Sequence, residues 1–219
     1  MATVLITGAN RGIGLELSRQ LGARGDQVTA LCRTASPELL ALGIRSFEGV
    51  DVTNREALQA VSRELGDTRI DILINNAGIF EEESFEDLDF DRIRKQFEVN
   101  ALGALLVTQV MQPHLSQGSK IILITSRMGS IGDNGSGGYY GYRMSKAALN
   151  MAGVNLAHDF RDQGVAVAIL HPGFVATDMT GRNGIPTAEA AKGLITRIDQ
   201  LRLESSGSFW HANGEQLPW

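Results

Sequence analysis

The sequence predicts a doubly wound α/β domain, with a mostly parallel sheet of seven strands covered by helices on both faces. Three observations carry this. Short β-branched apolar runs alternate with longer segments of helical periodicity along the chain. Most of those runs are apolar on both alternating faces, as strands must be when helices cover both sides of a sheet. The first run leads directly into a glycine-rich stretch that opens a helix.

The strands are TVLIT (Thr3 to Thr7), QVTALC (Gln27 to Cys32), IRSFEG (Ile44 to Gly49), IDILINN (Ile70 to Asn76), KIILITS (Lys120 to Ser126) and VAVAILH (Val165 to His171), with GSFWH near the C-terminus as a seventh. Helices begin near Gly12, Asn54, Asp89, Tyr139 and Thr187, and Thr187 with Glu189 and Ala190 reads as a capped start. In such sheets ligands bind outside the carboxyl ends of the strands, so function is sought in the loops that follow them.

With 219 residues, 43% of them hydrophobic, the chain suffices for one domain with a substantial core, and no composition break divides residues 1–219. A formal net charge of −5 and the lack of any basic run argue against nucleic acid or an anionic membrane as partner and favour small-molecule chemistry. The opening MATVLITGAN reaches Gly8 too soon for a membrane span and lacks the pattern of a secretory signal, so a cytoplasmic protein is expected. Cys32, the single cysteine, falls in an apolar run and is expected to be buried; His114, His158, His171 and His211 have no ligand-like spacing, so no metal site is expected. Gly132 to Gly138, GDNGSGG, is a flexible loop by composition.

The glycine-rich stretch is TGANRGIG, Thr7 to Gly14. Glycines there permit a tight turn and close approach of a phosphate to backbone N–H groups at a helix N-terminus. A structural turn is the alternative, but the position between strand and helix at the start of a βαβ unit points to a dinucleotide. NAD sites usually place a carboxylate about 20 residues further on to bond the ribose hydroxyls. Arg33 stands there instead, with Arg11 inside the loop, and the two guanidiniums suit a 2′-phosphate. NADP(H) is the expected cofactor.

The stretch YYGYRMSKAA, Tyr139 to Ala148, holds three tyrosines, and only Tyr142 has a lysine, Lys146, four residues on and therefore on its own helical face. Alone, that spacing also describes a surface tyrosine resting on a lysine stem. With the glycine spacing, NNAG at Asn75 to Gly78 and Ser126 ending the fifth strand, the chain resembles the short-chain dehydrogenase/reductase family, a family of Rossmann-fold oxidoreductases, over nearly its whole length. The resemblance implies a catalytic tetrad of Asn100, Ser126, Tyr142 and Lys146. It also implies cofactor contacts from Gly8, Asn10, Arg11, Gly12, Ile13 and Gly14, from Asp51 and Val52 at adenine, from Asn76, Ala77 and Gly78, from Tyr142 and Lys146, and from Pro172, Gly173, Val175 and Thr177 at the nicotinamide. The closing SGSFWHANGEQLPW and the short length resemble the C-factor and sniffer-like carbonyl reductase branch. The loop between Ser126 and Tyr142 is longer than in many members, and the short MTGRNGIP after Thr177 stands where larger relatives carry a substrate lid, so an open site is expected.

These readings converge on NADPH-dependent reduction of a small aldehyde, ketone or quinone, with Tyr142 as proton donor, Ser126 bonding the carbonyl oxygen, and Lys146 lowering the phenol pKa from its usual ~10. Asn100 is expected to position a water that links Lys146 to solvent. The alternative is an NAD(P)(H)-binding signalling or sensing protein with little turnover, which would need the glycine loop but no proton donor. The apolar content of ALGALLVTQVM and AALNMAGVNLA exceeds one sheet-facing stripe and predicts a homodimer, with a tetramer as the other symmetric possibility.

Overall fold

The computed structural model describes residues 1–219. Seven strands, β1 (Thr3–Thr7), β2 (Gln27–Leu31), β3 (Arg45–Phe47), β4 (Ile72–Asn75), β5 (Lys120–Ile124), β6 (Ala166–His171) and β7 (Phe209–His211), form one sheet in the order β3-β2-β1-β4-β5-β6-β7. Every neighbouring pair is parallel, β7 included. β1 spans its whole apolar run, β2 and β5 stop short of the carboxyl ends of theirs, β6 and β7 start late, and β3 and β4 are trimmed at both ends.

Alternation along the strands explains the layers. Leu5, Leu73, Ile121 and Val167 point to one face and join a core with residues of α3 (Arg55–Leu65), α5 (Gly103–Met111) and α6 (Tyr140–Asp159). Val4, Ile6, Ile72, Ile122 and Ala168 point to the other face, toward α1 (Gly12–Ala23) and α7 (Thr187–Gln200). Truncating a fully buried leucine such as Leu5 or Leu73 to alanine costs about 2–5 kcal/mol in such a setting. Cys32 belongs to the second core.

Side-chain capping accounts for the starts of α2, α3 and α4. Asn54 accepts a hydrogen bond from Ala57 N at the start of α3, and Asp89 accepts from Asp91 N and Arg92 N at the start of α4 (Phe90–Phe97). Ser36 caps the single turn of α2 (Pro37–Leu40), a helix too short for periodicity to reveal. Thr187 does not cap α7. The extended Pro186 occupies the cap position without a side-chain bond, and Thr187 is already helical. Between α4 and α5 the chain runs through a π-helical turn, Glu98–Leu102, that carries Asn100. No helix is long and apolar enough to cross a membrane.

Strand order reverses direction between β1 and β4, so the loops after these two strands diverge and leave a crevice at the carboxyl edge of the sheet.

Candidate active site

That crevice opens into a cavity of about 1720 Å³. Its walls include Gly8, Asn10, Arg11, Gly12, Ile13, Arg33, Asp51, Val52, Asn76, Ala77, Gly78, Ser126, Tyr142, Lys146, Pro172, Gly173, Val175 and Thr177. Every predicted site residue therefore lines one space except Gly14 and Asn100, which lie behind its wall.

One end is a backbone cradle. Thr7 Oγ1 accepts from Asn76 N and Ala77 N at 3.0 and 3.1 Å, and Asn76 Nδ2 donates to Thr7 O and Gly8 O. The loop after β4 is thus stitched to the loop after β1. A Cβ on Gly8, whose φ is +64°, would stand 2.9 Å from Ala77 Cα, and one on Gly14 would overlap Gly8 O and Asn76 Nδ2. The N-terminus of α1 has neither a side-chain cap bond nor an acidic residue in its first turn. Its orphan N–H groups face the cavity with positive electrostatic potential. These features fit a dinucleotide diphosphate.

Arg33 and Arg11 flank this end differently. Arg11 Nη1 lies 3.4 Å from Asp178 Oδ2, and the same carboxylate meets Arg182 at 3.3 Å. Arg33 has no ion pair within 4.0 Å, although its charge reaches Asp51. Burial pushes the Asp51 carboxyl up, but hydrogen bonds from Thr53 N and Thr53 Oγ1 and the charge of Arg33 outweigh it and hold the group below the usual aspartate range.

At the other end stand Ser126, Tyr142 and Lys146. Ser126 follows β5, and its Oγ accepts from Met128 N at 3.1 Å. Tyr142, in the first turn of α6, is buried with Phe80 edge-on at 5.0 Å, and Tyr139 and Tyr140 stay partly exposed. Lys146 sits one turn below Tyr142 with Nζ 5.7 Å from the phenol ring centre, donating to Ile124 O at 3.1 Å. The electrostatics depart from the expected lowering of the phenol pKa. Burial pushes Tyr142 up to about 12, offset in part by its hydrogen bond with Ser126, and burial pushes Lys146 down to about 8. Desolvation penalises both charged forms and is the largest cause of each shift. Farther along the wall, His171 is set edge-on to His211 at 4.8 Å with Nδ1 unbonded. Burial, then the charges of His211, Arg127 and Lys146, push it down to about 3.

Asn100 is fully enclosed. Its Oδ1 accepts from Ile79 N, and its Nδ2 donates to Ile79 O and to Ser145 Oγ. The side chain therefore ties the segment after Gly78 to α6. The reading of single residues missed Phe80, Met128, Arg143, Phe174 and Met179 in the cavity wall. Phe80, Met128, Arg143 and Phe174 lie within two residues of expected site residues, but nothing in the sequence says which of these neighbours turn toward the cavity.

A family model described as short chain dehydrogenase matches residues 2–186. Among relatives, 1-hydroxy-2-glutathionyl-2-methyl-3-butene dehydrogenase of Rhodococcus sp. (strain AD45) is 45% identical over 226 residues, covering 100% of both chains. C-signal of Myxococcus xanthus is 44% identical over 154 residues, 68% of this chain and 93% of that one. Among solved structures, NADPH-bound carbonyl reductase from chicken fatty liver is 29% identical with a TM-score of 0.91, covering 100% of this chain and 99% of the other. The family match spans the glycine cradle, the serine after β5 and the tyrosine–lysine turn of α6, which the fold gathers around one cavity. On this sequence and this architecture together, the chain is an oxidoreductase of the short-chain dehydrogenase/reductase family.

Proposed function

We propose that the protein is an NADPH-dependent carbonyl reductase in which Tyr142 is the proton donor. The observation that carries this reading is the placement of Ser126, Tyr142 and Lys146 together at one end of a cavity whose other end is the glycine cradle. When bound, the dinucleotide supplies a hydride to the carbonyl carbon. The protein's own residues do the rest. Gly8, Asn10, Gly12 and Ile13 hold the diphosphate, Arg33 and Arg11 take the 2′-phosphate, and Asp51 and Val52 meet adenine. Asn76, Ala77 and Gly78 support the cofactor from the β4 side, and Pro172, Gly173, Val175 and Thr177 flank the nicotinamide.

A phenol held near 12 keeps its proton throughout the neutral range, so Tyr142 carries the proton it gives to the carbonyl oxygen. The Ser126 hydroxyl bonds that oxygen as negative charge grows on it. Lys146, largely protonated at neutral pH, lowers the cost of the phenolate left behind and holds the nicotinamide ribose. A pure sensor would need the cradle but not this trio, which weighs against the signalling alternative despite the C-signal relative.

A second reading has the 45% identical relative behind it: the same residues run in reverse, oxidising an alcohol that carries a glutathione thioether. A panel of aldehydes, ketones and quinones with NADPH, and glutathione-conjugated alcohols with NADP+, followed by absorbance of the reduced cofactor, tests both. Turnover of neither class would leave the sensor. We further propose a homodimer through α5 and α6, where Leu105, Met144 and Met151 are exposed, as is Leu102 just before α5. A monomeric mass by light scattering would remove that claim.

A further inference from the structure

Helix α6 carries Tyr142 and Lys146, yet it starts without a cap of its own. Its cap residue is Tyr139, which has a left-handed φ of +52° and no side-chain bond to the helix. An aromatic ring there cannot accept from the first-turn N–H groups, which must find a partner where the helix start is buried. The partner comes from a segment 58 residues earlier. Glu83, in the loop after β4, is only 6% exposed. Its Oε2 accepts from Gly141 N at 3.2 Å, and its backbone carbonyl accepts from Tyr139 N at 3.0 Å.

The other carboxylate oxygen, Oε1, accepts from Gln96 Nε2 at 2.5 Å, and Gln96 Oε1 accepts from Glu81 N at 3.1 Å. Gln96, on α4, is completely buried, so the carboxylate is held on both sides. Gly141 is what lets it approach. A Cβ there would stand 2.5 Å from Gln96 Nε2 and 2.9 Å from Glu83 Oε1. Negative charge also suits this end of the 20-residue helix, where the peptide dipoles leave partial positive charge.

We propose that Glu83 is a positioning residue for catalysis: it caps α6 from the loop after β4, and by fixing Gly141 it fixes Tyr142, the next residue. Phe80, three residues before Glu83, bears edge-on on the Tyr142 ring and tilts against Tyr139, so the same loop holds the phenol from the side. Glu83 does not line the cavity and touches no reacting atom. Its effect reaches the reaction only through the placement of Tyr142, and the inference therefore rests on Tyr142 being the proton donor.

The test uses Tyr142→Phe, Glu83→Ala, Glu83→Gln and the exchange Glu83→Gln/Gln96→Glu, with kcat measured per folded molecule and NADPH affinity by fluorescence titration. Glu83→Gln sets one amide NH2 against another. The exchange restores every hydrogen bond: the amide introduced at position 83 donates to the carboxylate introduced at position 96 while its own oxygen keeps Gly141 N, and that carboxylate still accepts from Glu81 N. Displacements of a catalytic group by about 1 Å cost on the order of 100-fold, so Glu83→Ala and Glu83→Gln are expected to lower kcat about 10- to 100-fold. NADPH affinity should stay within about two-fold, and the exchange should recover most of kcat. Wild-type kcat in Glu83→Ala or Glu83→Gln beside an inactive Tyr142→Phe overturns the positioning role alone, and near wild-type turnover in Tyr142→Phe overturns the proton-donor reading. If the single Glu83 variants do not fold, the exchange variant decides: a folded exchange protein with kcat still down about 10-fold or more overturns the proposal, and near wild-type kcat supports it.

Discussion

Replacing Arg33 with aspartate is the most direct probe of cofactor choice, because the structure separates the two arginines at the cradle. The charge of Arg11 is shared with Asp178, which also meets Arg182, whereas Arg33 has no ion pair and acts at range on Asp51 alone. The uncompensated guanidinium should therefore carry the larger part of 2′-phosphate recognition. A charge-assisted hydrogen bond contributes roughly 1.5–3 kcal/mol, and the exposure of Arg33 reduces this to about 1–2 kcal/mol, or about 5- to 30-fold in Kd. Arg33→Ala should show that loss for NADPH with NADH unchanged. Arg33→Asp should lose more, since the new carboxylate repels the phosphate, and should gain NADH affinity by accepting from the ribose hydroxyls. It also removes one of the influences that hold the Asp51 carboxyl low, the Thr53 hydrogen bonds remaining. Fluorescence titrations of both cofactors at low and high salt measure this, and the wild-type preference should shrink as salt screens the phosphate contact. Equal wild-type affinity for NADH and NADPH, or an unmoved preference in Arg33→Asp, would refute the assignment.

Tyr142→Phe should lower kcat by about 10²- to 10⁴-fold with NADPH affinity within a few-fold, whereas Tyr139→Phe and Tyr140→Phe should stay active; steady-state kinetics on the three variants check this. Gly14→Ala forces a methyl group onto Gly8 O and Asn76 Nδ2, and should cost about 1–3 kcal/mol in urea unfolding while weakening NADPH binding. His171 is held near 3 in the folded protein against about 6.5 unfolded, so the unfolded chain binds the extra proton first. Stability should fall as pH drops from about 6.5 toward 3, and His171→Gln should flatten that part of a melting-temperature profile. Asp178→Asn frees Arg11 from its ion pair, and should leave NADPH affinity unchanged or raise it by up to about five-fold in the same titration.

What could be read from the sequence was local. The glycines of Thr7 to Gly14 declare a turn between a strand and a helix, Asn54 and Asp89 cap the helices they precede, and the four-residue interval singles out Tyr142 among three tyrosines. Thr187 misled because a threonine before an apolar pattern is a good cap only when its own backbone is extended, and here Pro186 takes that conformation one residue earlier. The π-helical turn at Asn100 escaped because one extra residue within a helix leaves the apolar pattern nearly intact while rotating everything beyond it. The phenol pKa was misjudged for a related reason: spacing shows that Lys146 is near Tyr142, but only the packed structure shows that both are desolvated. Glu83 was invisible because its partner, Gly141, is brought to it by the fold.

The order of the sheet bears on how the chain is built during synthesis. Each strand pairs on one side with a strand that has already left the ribosome: β2 adds to β1, β3 to β2, β4 to the free side of β1, and β5, β6 and β7 each to the strand before. None has to be inserted between two partners already joined, so the sheet can grow by accretion at its edges as translation proceeds. The free side of β1 must wait, however, until Ile72 to Ile74 emerge to cover Val4 to Ile6. Nascent chains halted between β3 and β4 would present that apolar edge to chaperones, and chains extended past β4 would not.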